Sequence, residues 1–418
     1  MEPTIGIITA LPIECFAVMA VLDQVETARS PEAGDGASYW TGTVPSAAPG
    51  RPHRVVLSLL PEDGGVAAAH GCANLHRSWR VGQVLMCGIA CGVPRLDVPA
   101  WHVRLGDILV AEEGIVPYGH VRATPGGVEE LRRPGPKPSV DLKNAARRLR
   151  VAAESGVRAW EPILLSRAGR SGEDYARPPA STDVLLDDDG EVLRHPPHHR
   201  TGHVHGQPKV HYGRIGSGGR LINSAAERDR LARAHRLIGF DMEGDGVADA
   251  AYLQQVPWFM VRGVSDYGSG KNDTWHRYAS LAAAAYTRAL LAQLDPRPEP
   301  AGTEAAPRQR AAAAPAPGGA EAGHRAVVEA VWQVRTMRHQ TGRDDVVTAL
   351  TELTGVRIVR ARDGYRDIDG MVRQLGGIAG GLDALVQVLW NLERDSVPLL
   401  HLARLIGQPL RGDDDPVR

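Results

Sequence analysis

Carboxylates stand where short apolar runs give out: Glu14 after IGIITALPI, Asp241, Glu243 and Asp245 inside GFDMEGDG, and Asp266 beside Ser265 in RGVSDYG. A carboxylate accepts two hydrogen bonds at once and so suits a vicinal diol, while a protonated one can donate to a leaving group. Two glycine-bearing turns, PEDGGVAAAH and CGIACGVP, also follow apolar runs, and there the missing side chains let backbone N–H groups approach a ligand. Each feature has an ordinary reading as well. Glu14 suits the first turn of a helix, Asp266 is a good N-cap, and an acid-and-glycine stretch is a common surface turn. On the residues alone both readings stay open.

The elements that must position these groups are legible from periodicity. TIGIIT, RVVLSLL, QVLMCGIA, DILVAEE, HYGRIGSGG and WFMVRGVS read as buried strands. ECFAVMAVLDQV, GVAAAHGCANLHRSW, SAAERDRLARAHRL and WHRYASLAAAAYTRALLAQL read as the interleaved helices of a layered α/β domain over 1–294. From about 120 to 207 the composition turns to Pro, Arg and His, which reads as an insertion of loops around at most one helix, LKNAARRLRVAAES. Residues 295–323 form a Pro/Ala-rich linker that cannot bury enough apolar surface to offset its ordering. From 324 to 418, helical periodicity in AVVEAVWQV, DDVVTALTEL, IDGMVRQL, GGLDALVQVLWNL and PLLHLARLI predicts a small all-α bundle.

Composition excludes several classes. A chain of 418 residues with net charge −1 has no global field for nucleic acid or an acidic membrane. The N-terminus MEPTIGIITALPIE has no basic leader, and its apolar run is broken by Pro12 and Glu14. No segment offers about 20 uninterrupted apolar residues. Cys15, Cys72, Cys87 and Cys91 are too few for a disulfide framework, so the expected compartment is a reducing cytoplasm. His195, His198, His199, His203 and His205 lie in a Pro/Gly context without matching cysteines, and no metal site is expected of them.

Taken in order, IGIITALPxE, GGVAAA, GIACGVP with VRLGDILVA, FDMEGDG and RGVSDYG resemble the nucleoside phosphorylase type I superfamily, over most of residues 4–294. Glu14 and the MEG and SDY motifs are similar to the nucleosidase branch, typified by 5′-methylthioadenosine/S-adenosylhomocysteine nucleosidase. RPPASTD, HYGRIGSGG and SDYGSGKNDTWHRYASLAAAAYTRALL resemble the version of this domain fused to signalling modules in NLR-type and bacterial defence proteins. GGLDALVQVLWNLERDSVPLLHLARLI resembles the effector-associated domains of bacterial conflict systems.

The resemblance implies a three-layer fold with a mixed central sheet, no cofactor, paired subunits, and cleavage of a purine N-glycosidic bond. Asp266 would act as the acid toward N7 of the base, supported by Ser265. Glu14 would activate the attacking water, and Glu243 with Met242 would hold the ribose hydroxyls. Ile89, Ala90 and Gly92 would pass along base and sugar, with Phe240, Leu221 and Ile222 counted among the substrate-binding residues. The chain departs from the family at Cys91, where glycine is usual, near Ile89, where nucleosidases have serine, and at Leu221, where an aromatic is usual.

Water is favoured over phosphate as the nucleophile, because the turns ALPIE and PEDGG carry Glu14, Glu62 and Asp63 and no arginine. The insertion's Arg132, Arg133, Lys137, Arg147, Arg148, Arg150, Arg194 and Arg200 would favour a nucleotide such as ATP if they reached its 5′ end. The exact substrate stays open among nucleoside, ATP, dATP, NAD and thioether nucleoside. The helical tail would bring a protein partner, in an antiphage or conflict setting. A purine nucleoside phosphorylase and a non-catalytic nucleotide sensor are the alternatives.

Overall fold

The nine strands of the main sheet, numbered along the chain, are β1 (Ile5–Thr9), β2 (Asp23–Ala28), β3 (Ser38–Val44), β4 (His53–Leu59), β5 (Gln83–Gly92), β6 (Ile108–Pro117), β7 (Val210–Ser217), β8 (Leu237–Asp241) and β9 (Trp258–Asp266). The computed structural model describes residues 4–32, 35–123, 129–131, 134–168, 175–296, 319–356, 358–361, 364–378, 380–393 and 397–406. Spatial order is β8-β7-β6-β9-β5-β1-β4-β3-β2. β1 runs parallel to both β4 and β5, and β9 runs parallel to β5 but antiparallel to β6, so the sheet is mixed. IGIIT and WFMVRGVS read as continuous apolar runs because they are central strands covered on both faces.

Helices α1 (Pro12–Val21), α3 (Val140–Glu154), α4 (Trp160–Ala168) and α8 (His276–Leu291) pack together on one face, and α2 (Gly65–Trp79) and α7 (Gly244–Leu253) on the other, while α6 (Ala225–His235) lies against β8. The sheet also folds back on itself. β8 pairs antiparallel with β5 through Gly239–Gly92 and Phe240–Cys91, which closes five strands into a small barrel. Only glycine fits at 239, where a Cβ would come within 2.7 Å of the Cys91 carbonyl oxygen.

Two sequence expectations are corrected. The helix read through ECFAVMAVLDQV stops at Val21, and DQVETA becomes β2, antiparallel to β3. Leu22 already has extended backbone, and the alternating exposure of β2 is that of a half-buried outer strand. The insertion is more than loops around one helix. It carries α4 and a short helix α5 (His198–Thr201), and its Leu142, Leu149, Trp160, Leu164 and Tyr175 join the main core. Trp160 stacks at 5.3 Å on Tyr286 of α8.

The chain divides into two compact units, Met1–Glu304 and Ala305–Arg418. The linker expected at 295–323 falls mostly on 297–318, outside the described residues. The second unit is all helix: α9 (Gly319–Gln333), α10 (Gln340–Thr354), α11 (Gly364–Gly376), α12 (Gly381–Leu392) and α13 (Val397–Ile406), around its own core of Val328, Val331, Leu350, Met371, Leu375, Leu389, Leu399 and Leu402. No described helix is long and apolar enough to cross a membrane.

Candidate active site

A cavity of about 320 Å³ opens where β1, β5, β8 and β9 end. Glu14, Ile89, Ala90, Leu221, Ile222, Phe240, Met242, Glu243, Ser265 and Asp266 all line it, as does the departing Cys91. Gly92 does not. It is buried at the barrel closure, where a Cβ would meet Val264 at 2.6 Å and Val103 at 2.9 Å, so its role is close packing rather than ligand contact.

Glu14 reaches the cavity because Pro12 starts α1 directly after β1 and places it in the first turn. Its carboxylate is clamped by backbone: Oε2 accepts from Ala10 N at 2.8 Å and Leu11 N at 2.9 Å, and Oε1 from Ile89 N at 2.8 Å. Glu243 follows β8 as the residue before α7, and its Oε1 accepts from Gly64 N at 3.1 Å. Gly64 adopts φ 101°, a left-handed conformation suited to glycine, and thereby the PEDGG turn aims an N–H at the acid.

At the end of β9 the pairing with β5 slips between Val264 and Asp266, and such a bulge re-aims side chains. There Ser265 Oγ donates to Asp266 Oδ2 at 3.0 Å, and Gly268 N to Oδ1 at 2.7 Å. Lys271 Nζ stands 3.7 Å from Asp266 Oδ1.

Sequence reasoning passed over the group that organises the acids. Arg262, fully buried in β9, pairs through Nη2 with Asp241 and, at 3.2 Å, with Glu243 Oε2, and its Nη1 lies 3.8 Å from Glu14 Oε1. The signal was present as one arginine inside an otherwise apolar strand, which demands buried counter-charges. Its Nη1 and Nε have no hydrogen-bond partner among the described residues. Gly88 leaves room for this pair, since a Cβ there would come within 2.3 Å of Glu14 Oε1 and 2.5 Å of Arg262 Nη1. Asp241 is scaffold, accepting from Gly244 N at 2.9 Å, and Asp245 sits in the first turn of α7 bonded to Ser217.

Burial pushes the Glu243 carboxyl up to about 7, with Asp241 and Glu14 adding to the rise and Arg262 opposing it. The cavity therefore holds carboxyls in unlike surroundings, the condition for separate acid and base roles.

Asp63, named with the PEDGG turn, also lines the cavity, and the lining residues that the sequence did not single out for this site are Ala10, Leu11, Tyr118, Arg220, Lys271, Asp273 and His276. Tyr118 stacks edge-on to Phe240 at 5.6 Å and donates its hydroxyl to Arg220 O at 2.5 Å, which holds the wall carrying Leu221 and Ile222. Leu221 is 57% exposed and offers only a loose face. None of the insertion's described basic residues lines this cavity: Arg147 pairs with Glu112 at 2.6 Å, Arg148 bonds Gln293 O, and Arg150 lies over the Tyr212 ring. Arg132 and Arg133 lie outside the described residues. A larger cavity of about 1140 Å³ lies elsewhere in the unit, but its acids, Glu113 and Glu154, are exposed and it gathers no buried carboxylates.

A family model described as the phosphorylase superfamily matches residues 4–293, and one described as effector-associated domain 2 matches residues 328–407. A nucleotide-binding leucine-rich repeat (NLR)-like protein of Hyaloscypha variabilis is 30% identical over 310 residues, covering 71% of this chain and 30% of that protein. ATP nucleosidase Cap17 of Escherichia coli is 26% identical over 291 residues, 69% of this chain and 51% of that protein. The chain thus spans about a third to a half of the length of these curated relatives. The solved 5′-methylthioadenosine/S-adenosylhomocysteine nucleosidase of Colwellia psychrerythraea, in complex with adenine, aligns with TM-score 0.48 and 18% identity over 70% of this chain and 96% of that one.

Proposed function

The chain belongs to the phosphorylase superfamily across residues 4–293, and from that membership we propose that its first unit hydrolyses the N-glycosidic bond of a purine nucleotide, with ATP as the preferred substrate class. The observation that carries hydrolysis is Glu14 on the cavity wall, its carboxylate held by the N–H groups of Ala10, Leu11 and Ile89. A water beside that carboxylate gives it a proton on attack. Phosphate is disfavoured there, because Glu14, Asp241 and Glu243 surround buried Arg262 and already use its charge.

Cleavage builds positive charge on the ribose and negative charge on the base. Glu243 accepts the ribose diol hydrogen bonds, and Met242 packs beside it. Carboxylate charge from Glu14 and Glu243 stabilises the cationic sugar, while Asp266 gives its proton to N7 of the departing base. Glu14 takes a proton from the water as its oxygen bonds C1′. Base and sugar are the products.

Two observations support a nucleotide: Arg220 and Lys271 line the cavity, and the relative Cap17 is named an ATP nucleosidase. The match to effector-associated domain 2 supports a tail that recruits a protein partner, and the NLR-like and Cap17 relatives support a defence effector that depletes purine nucleotides. Buried free thiols at Cys15, Cys72, Cys87 and Cys91 fit a cytoplasmic setting, and paired subunits follow the family resemblance.

The test incubates the purified chain with ATP, dATP, NAD and purine nucleosides, with and without phosphate, and follows free base by chromatography. Release from ATP without phosphate, reduced about 10²–10⁴-fold in Asp266→Asn, is the expected result. A phosphate requirement would convert the assignment to a phosphorylase, and no base from any substrate would leave the sensor reading.

A further inference from the structure

Away from the carboxylate cavity, three buried side chains from three separate segments converge. Asp107 precedes β6, His211 is the second residue of β7, and His203 lies in the loop between α5 and β7. His203 Nε2 is 2.7 Å and His211 Nε2 is 2.9 Å from the same Asp107 oxygen, Oδ2. The three donor atoms lie within 4.8 Å of one another. Backbone fixes the carboxylate, with Lys209 N on Oδ1 at 2.9 Å and Arg104 N on Oδ2 at 2.8 Å.

The second ring nitrogen of His203 is also held: Nδ1 is 2.8 Å from Thr201 Oγ1, whose hydroxyl is 3.2 Å from His198 O. Two ring nitrogens brought this close to one carboxylate oxygen inside a protein need a proton or a metal ion between them.

We propose that Asp107, His203 and His211 bind a divalent metal ion of the zinc class. Two imidazoles and one carboxylate suit such an ion, a side chain bonded to the second ring nitrogen is the usual way to orient a metal-binding histidine, and three protein ligands leave a fourth position. Tetrahedral zinc sets its ligand atoms roughly 3.3 Å apart, so the two histidine–carboxylate separations widen by about half an ångström on binding. The histidine-rich run gave no such reading because the partners are remote: Asp107 is 96 residues before His203 and 104 before His211. The ion would tie the end of the insertion to the sheet. Asp107 O accepts from Val264 N at 2.8 Å, two residues before Asp266, so the tie braces the strand end that carries the proposed acid.

The test uses the tag-free full chain. Metal content is measured after incubation with Zn²⁺ and gel filtration, Co²⁺ is substituted to read its visible d–d absorption, and thermal melts are compared in chelator and in excess Zn²⁺. One equivalent of metal per chain, tetrahedral-type Co²⁺ bands and a melting temperature raised by Zn²⁺ are expected. His203→Ala should lose all three while His199→Ala, at an exposed position of α5, keeps them. If His203→Ala fails to fold, the wild-type Co²⁺ spectrum and melts still decide. A wild-type chain with no stoichiometric metal and an unmoved melt overturns the proposal in favour of a shared proton, and equal metal in both variants overturns it in favour of surface histidines. None of these readouts depends on nucleosidase activity.

Discussion

Glu243 stands between β8 and α7 with its carboxyl taken out of water, and that burial, reinforced by Asp241 and Glu14 and opposed by Arg262, raises its pKa from 4.5 to about 7. An unfolded chain has lost this proton at a pH where the native chain keeps it, so native stability falls as pH rises from about 4.5 towards 7. In its proposed role Glu243 accepts from the ribose diol in the ionised form, so kcat/KM should climb around the native value of about 7. Glu243→Gln should flatten that limb of the stability curve and weaken substrate binding at every pH, checked by urea unfolding and initial rates from about pH 5 to about pH 8. Arg262→Met is expected to cost about 3–5 kcal/mol, because it leaves Glu14, Asp241 and Glu243 without their buried counter-charge. Without the opposing charge of Arg262 the Glu243 carboxyl is pushed up further, so the urea midpoint of the variant should fall further below wild type at about pH 8 than at about pH 5. Acids after apolar runs stood out in the sequence, but it was the ordered family resemblance and not their position alone that separated Glu14, Glu243 and Asp266 from ordinary caps and turns. What was not legible is that Arg262 joins them, since Glu14 and Arg262 are far apart in the chain and an arginine in WFMVRGVS announces a need for partners without naming them.

Helices α2 and α7 meet at their N-termini, and that meeting sets the distance from Gly64 N to Glu243. Gly246 lies so close to α2 that a Cβ would stand 2.0 Å from the Gly65 carbonyl oxygen. Gly246→Ala should therefore push the two helix starts apart, cost about 1–3 kcal/mol and pull the Gly64 N–H off Glu243. The expected signature is a lower melting temperature together with a raised KM, whereas Gly50→Ala, in a turn with open space around it, should lower stability without touching KM. Periodicity gave the central strands and the long helices because both faces or one broad face of each is buried. It missed β2, whose residues alternate as a half-buried strand yet follow a helix without a glycine or proline between them. It missed α4 because WEPILLSRA has little amphipathic pattern of its own and is held by Trp160 against Tyr286. The barrel closure was also hidden, since Gly239 and Gly92 look like turn glycines until two strands are seen to cross there.

The two units carry separate apolar cores: the first has a large cluster on the sheet and a smaller one around Tyr118 and Phe240, and the second has one on helices α9 to α13. A core that closes within one unit gives that unit its own cooperative transition. Every residue lining the candidate site lies in the first unit, from Ala10 to His276. A chain cut back to residues 1–296 should therefore keep the melting temperature of the first unit and its basal rate of base release, and residues 319–406 expressed alone should be helical by circular dichroism with a single melt. On the proposed recruiting role of the tail, what the shortened chain should lose is any gain in turnover that follows clustering of the tail, because tethering acts through local concentration and not through the chemistry. Calorimetry of the full chain against the two pieces, with turnover measured beside it, checks this. A first unit that fails to fold without the tail, or that folds with its basal rate abolished, would mean that the helical unit completes the enzyme instead of delivering it.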